Sequence, residues 1–152
     1  IVPSESAKAT YAATRTYTDA AHDGTGTYAG QMGFFSKNIG AITGGGSGPR
    51  IKVMAHSAGA SIIAKIAHEY DNITDVLLVN PAQKLGVDAI RQGLSKTDAK
   101  ITVVFGEKDP SVSLSGALQG DGHAVVVLEG VDHNFSGDFI GEFIRLPQDY
   151  LF

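Results

Sequence analysis

Short apolar runs alternate along this chain with stretches in which apolar positions recur at helical spacing. Residues 51–55, 75–79, 101–105 and 124–128 are apolar, of strand length, and bounded by Gly, Pro, Asn or charged residues, which predicts four strands. Strands that alternate with helices mark crossover units and a mainly parallel sheet. Between the first two runs Ile62, Ile63, Ile66, Ala67 and Tyr70 fall on one helical face, while Lys65, His68 and Glu69 fall largely on the other, predicting a crossover helix. Val87, Ile90, Arg91 and Leu94 predict a second helix, and residues 115–119 a brief helical turn before the last strand. Phe139, Ile140, Phe143 and Ile144 form an apolar stripe, which predicts a C-terminal helix packed on the sheet through these four residues.

Hydrophobic contrast is low before residue 50, where Ala and Thr abound. Ser4 as a cap with Glu5 beside it predicts a helix over residues 4–13. Residues 15–18 read as a strand ending at Asp19, and residues 28–42 as a helix weakened by Gly30, Gly33 and Gly40. The Gly-rich run 44–48, followed by Pro49, reads as a flexible connector. It is no phosphate loop, because no Lys-Ser or Lys-Thr follows and the chain enters a strand. The expected architecture is an α/β fold, a single domain over residues 1–152 with a mainly parallel central sheet flanked by helices.

Composition narrows the function classes. With 152 residues, 43% hydrophobic and 18% charged, the chain is able to bury its own core. No apolar run is long enough to span a bilayer. A net charge of -4 with scattered Lys and Arg gives no footprint for a phosphate backbone, so nucleic acid is not expected as a partner. The absence of cysteine removes disulfides and thiolate chemistry, and fits a cytosolic or an exported protein equally. Five dispersed histidines without a His-Glu-x-x-His pattern give no support for a metal site, and no cofactor is expected. The start at Ile1 without a leader pattern suggests a processed product or a part of a longer polypeptide.

The strongest chemical signal is Ala55-His56-Ser57-Ala58-Gly59, between an apolar strand and an amphipathic helix. A serine on a sharp strand-to-helix turn projects its hydroxyl above the sheet and needs small neighbours two residues to either side, as Ala55 and Gly59 are. The same turn puts the Ala58 amide at a helix N-terminus, able to donate to an oxyanion. The plainer alternative is an ordinary serine N-cap.

These residues resemble the nucleophile elbow of the α/β-hydrolase superfamily, usually Gly-x-Ser-x-Gly, with Ala55 replacing the first glycine as in some small bacterial lipases of that superfamily. The resemblance extends to chain order, because the acid and then the histidine follow later strands. Gly106-Glu107-Lys108-Asp109-Pro110 is similar to the family's acid turn, and Gly130-Val131-Asp132-His133-Asn134-Phe135 to its histidine loop. The resemblance covers residues 15–144 and implies Ser57 as nucleophile, His133 as base and Asp109 as the carboxylate that orients it. Taken singly, Asp109 could be an ordinary turn residue and His133 a surface histidine. Asp132 is a competing acid, but sequence neighbours usually point apart, which favours a role in shaping its loop. His56 would be partly buried at the elbow, where it packs or lines the substrate site in preference to acting as base.

Asp19 and His22-Asp23-Gly24-Thr25-Gly26 are similar to a glycine-rich loop of these hydrolases, or form a plain surface turn. The superfamily's second oxyanion donor, often marked by His-Gly, has no such pair here; Ser4, after Pro3, holds the nearest place. The expected activity is a serine hydrolase acting on a small-molecule carboxylester or related acyl bond. The segment 80–99 is too short for an inserted lid. The alternative is a hydrolase-like module without catalysis, serving binding or assembly within a larger protein.

Overall fold

Strands that are apolar on both faces need cover on both faces, and the chain supplies it with helices. The computed structural model describes residues 50–83 and 86–152. Strands β1 (Ile51–His56), β2 (Ile73–Val79), β3 (Lys100–Gly106) and β4 (Ala124–Leu128) form one parallel sheet in the order β1-β2-β3-β4. Each predicted run lies within its strand. β2 starts earlier than predicted, because Ile73 and Thr74 extend it and Asp75 pairs in register with Lys52, whose ammonium lies 3.8 Å away.

A sequential parallel order with right-handed crossovers puts every connecting helix on one face of the sheet. Helix α1 (Ala58–Ile66), ending in a 3-10 turn, packs on β1 and β2; α2 (Val87–Leu94) packs against α1; α3 (Ser115–Gly120) packs on β4. The approach of α2 to α1 is close enough that a Cβ on Gly93 would sit 2.3 Å from the Ala64 carbonyl oxygen. Glycine is therefore required there by contact. The opposite face is covered by α4 (Ile140–Tyr150), whose Leu146 joins Leu77, Val79, Val104, Val131, Phe135 and Leu151 in a buried cluster. Because the pleat alternates, Val76, Leu78, Val103 and Phe105 point to the other face, and all four are buried too.

One sequence expectation is corrected at α4. Phe139 and Phe143 pack on the core, but Ile140 and Ile144 are 53% and 70% exposed. The packed seam runs through Phe139, Phe143, Leu146 and Tyr150, spaced four, three and four residues apart on one helical face. Ile140 and Ile144 lie about 100° round from it. Pro147 sits inside α4. A 3-10 turn at Pro110–Leu114, just after Asp109, was not predicted.

No described helix is long and apolar enough to cross a membrane. The predicted helices over 4–13 and 28–42, the strand 15–18, the Asp19 and 22–26 loop, the connector 44–48 and the Ser4 oxyanion donor lie outside the described residues.

Candidate active site

A parallel sheet delivers all its strand ends to one edge, and here the loops after β1, β3 and β4 meet there. Ser57 follows β1 directly with φ 57° and ψ −123°, a conformation that strains any residue with a Cβ. Two main-chain bonds to β2 and the loop after it hold it: the Ser57 N–H donates to the Val79 carbonyl at 2.9 Å, and the Ala82 N–H donates to the Ser57 carbonyl at 3.1 Å. A Cβ built on Gly59 would lie 4.0 Å from that of Ala55, an ordinary contact, so the elbow has room for alanine at the first small position.

Ser57 occupies the N-cap position of α1, but its side chain makes no capping bond. Its Oγ instead lies 2.8 Å from His133 Nε2. On the other side of that ring, Nδ1 is hydrogen-bonded to Asp109 Oδ2. A carboxylate oxygen only accepts, so Nδ1 carries the proton in the neutral ring, and the lone pair of Nε2 faces the serine hydroxyl. Among the described residues the Ala58 N–H, first in α1, has no hydrogen-bond partner, as expected of an open helix N-terminus.

Asp109 combines two readings of its sequence. It caps the following 3-10 turn, Oδ1 accepting from the Ser111 N–H at 2.7 Å, while Oδ2 serves His133. Burial acts to raise the pKa of its carboxyl, but hydrogen bonding from Ser111 and from His133 outweighs it, and the pKa lies below its ordinary value. Asp132 is turned into its own loop, where Oδ1 accepts from the Ser136 N–H at 2.8 Å. That bond lowers its pKa, and its carboxylate makes no bond to the His133 ring.

The histidine loop is fixed from below and from the side. Val131 and Phe135 are fully buried, Phe135 at φ 54°, and Phe135 meets Phe143 edge-on at 5.1 Å. The Lys108 N–H donates to the Val131 carbonyl at 2.9 Å, and Gly130 donates to Glu107 Oε2 at 2.8 Å, which ties the acid and histidine loops together. A Cβ on Gly106 would come within 2.4 Å of the Val131 carbonyl oxygen.

His56, expected to pack at the elbow or line the substrate site, has its ring 5.0 Å from that of His133 and 5.6 Å from Phe143. Its Nε2 lies 2.7 Å from the His133 carbonyl oxygen. Burial is the main reason its pKa is lowered. The sequence reading missed Asn80, fully buried at φ 45° just past β2. Its Nδ2 donates to the His133 carbonyl at 3.1 Å and, more weakly, to that of Asp132 at 3.4 Å, while its Oδ1 accepts from the Gly106 N–H at 2.8 Å. The available signal was a polar residue closing an apolar parallel strand at the edge where such sheets bind ligands.

The fold has known counterparts in solved structures. A dienelactone hydrolase from Anabaena variabilis superposes with a TM-score of 0.64 at 12% identity, covering 79% of this chain and 59% of its own. The chain has an α/β-hydrolase fold. The esterase domain of a Rhodothermus marinus protein shares this fold with a TM-score of 0.58 at 12% identity, covering 85% of this chain and 71% of its own. The chain thus spans under two thirds of the dienelactone hydrolase. No protein-family profile matches the sequence, and no curated protein matches it.

Proposed function

We propose that the chain is a serine hydrolase that cleaves a carboxylester, or a chemically related acyl bond, through an acyl-enzyme on Ser57. The observation that carries this reading is the unbroken path from Ser57 Oγ to His133 Nε2 at 2.8 Å, and from His133 Nδ1 to Asp109. As the Ser57 oxygen adds to the carbonyl carbon, its proton passes to His133 Nε2. The imidazolium so formed is stabilised by the Asp109 carboxylate, which stays ionised because its pKa is lowered. The Ala58 N–H donates to the oxyanion. Collapse of the tetrahedral adduct expels the alcohol, which takes the proton from His133. Water then repeats the sequence in reverse roles and frees Ser57 and the acid.

The names of the two similar structures, a hydrolase and an esterase, support the same reaction class. The test is turnover of p-nitrophenyl butyrate and covalent labelling by a fluorophosphonate, in the full chain and in Ser57→Ala. We expect wild-type turnover with an adduct on Ser57, and loss of both in the variant. Full activity in Ser57→Ala would sink the assignment. A wild type that forms no adduct would favour a module that binds without catalysing.

A further inference from the structure

We propose that His56 and Asn80 together clamp the His133 main chain and so hold its imidazole in line with Ser57, as positioning residues that touch no substrate. The inference rests on the serine-hydrolase reading and deepens it. Two donors from two neighbouring strand ends converge on one acceptor: His56 Nε2 at 2.7 Å and Asn80 Nδ2 at 3.1 Å from the His133 carbonyl oxygen. A carbonyl oxygen only accepts, so His56 carries its proton on Nε2 and its lone pair on Nδ1. Its lowered pKa keeps it neutral, so no second positive charge opposes the imidazolium that forms on His133 beside it.

Asn80 spans the two loops that must stay in register. Its Oδ1 holds Gly106, three residues before Asp109, while its Nδ2 holds the histidine itself. One side chain thus fixes the distance between the carboxylate and imidazole loops from inside the fold, where it is fully buried. A buried amide with both ends engaged admits one orientation. Its partner His56 precedes Ser57 directly, so the nucleophile and the base are registered to each other through a single side chain as well as through the Oγ–Nε2 bond. Displacement of a catalytic group by about 1 Å costs on the order of a hundredfold in rate, which is the scale on which the clamp acts.

The experiment compares His56→Phe, which keeps a ring and removes the donor, His56→Gln, which restores an N–H at the same reach, and Asn80→Asp, which keeps the acceptor and removes the donor. Ester kinetics and the rate of fluorophosphonate labelling are measured on the full chain. We expect His56→Phe and Asn80→Asp to lower kcat tenfold or more with KM nearly unchanged, to slow labelling by the same factor, and His56→Gln to recover most of the His56→Phe loss. A merely structural role would lower the melting temperature without this kcat-specific loss and without recovery by glutamine. If His56→Phe does not fold, Asn80→Asp carries the same comparison. A reactive wild type whose folded His56→Phe or Asn80→Asp variant labels at the wild-type rate overturns the clamp alone. An unreactive wild type overturns the hydrolase reading and the clamp with it.

Discussion

Ser57 holds a backbone conformation that costs about 1–3 kcal/mol for a residue with a Cβ, and glycine alone escapes that cost. Ser57→Gly and Ser57→Ala both lose the hydroxyl and its bond to His133, so their difference isolates the bend. We expect Ser57→Gly to be the more stable by about 1 kcal/mol, after allowing for glycine's greater freedom in the unfolded chain, as read from urea melts. At Asp109, replacement by Asn frees the His133 ring to adopt the wrong tautomer, and kcat should fall about a thousandfold or more. The same variant has a signature in stability. The folded pKa of this carboxyl lies below its ordinary value, so its contribution is complete above about pH 4 and is lost as pH falls through the folded value. The stability gap between wild type and Asp109→Asn should therefore narrow on acidification below about pH 4, and a constant gap would refute it. Ser57, Asp109 and His133 were legible because each follows an apolar strand in the order of the superfamily that the chain resembles. Asn80 was not, since an amide at a strand end carries no chemistry of its own; only its three partners, all distant in sequence, give it meaning.

At the scale of elements, α4 separates what apolar pattern predicts from what packing decides. Leu146 is buried in the cluster under the histidine loop, whereas Ile144 stands 70% exposed one face away. Leu146→Ala should cost about 2–5 kcal/mol, while Ile144→Lys should change stability by no more than about 0.5 kcal/mol; thermal or urea unfolding separates them. The four strands and α2 were readable because continuous apolar runs and a single helical face leave little choice. The stripe on α4 was ambiguous, because four apolar residues in two adjacent pairs fit either of two neighbouring faces. The choice between them is made by Phe135 and Val131 arriving from the histidine loop, and no local pattern contains that information.

At the scale of the described fold, parallel order brings Ser57, Asp109 and His133 to one edge and leaves His133 partly open, its side chain 38% exposed. Between β2 and β3 the described chain adds connecting loops and the eight residues of α2, and the shortness of the segment 80–99 is the ground for expecting no inserted lid. Turnover should then rise smoothly as a short-chain ester passes its solubility limit; an abrupt jump at the appearance of droplets would show a gate that opens at interfaces. The fold class was legible in the sequence, because alternating strands and helices admit few arrangements. The way the loops interlock was not, because main-chain bonds such as Ala82 to Ser57 leave no mark on residue type. Those bonds carry a last implication. Both polar atoms of the Ser57 backbone are tied to the segment around β2, so the bend draws support from residues well beyond it in the chain. If Ser57 is the nucleophile, a chain melted by heat would carry only an inert alcohol, because what sets that serine apart is contact between distant segments and not its local sequence.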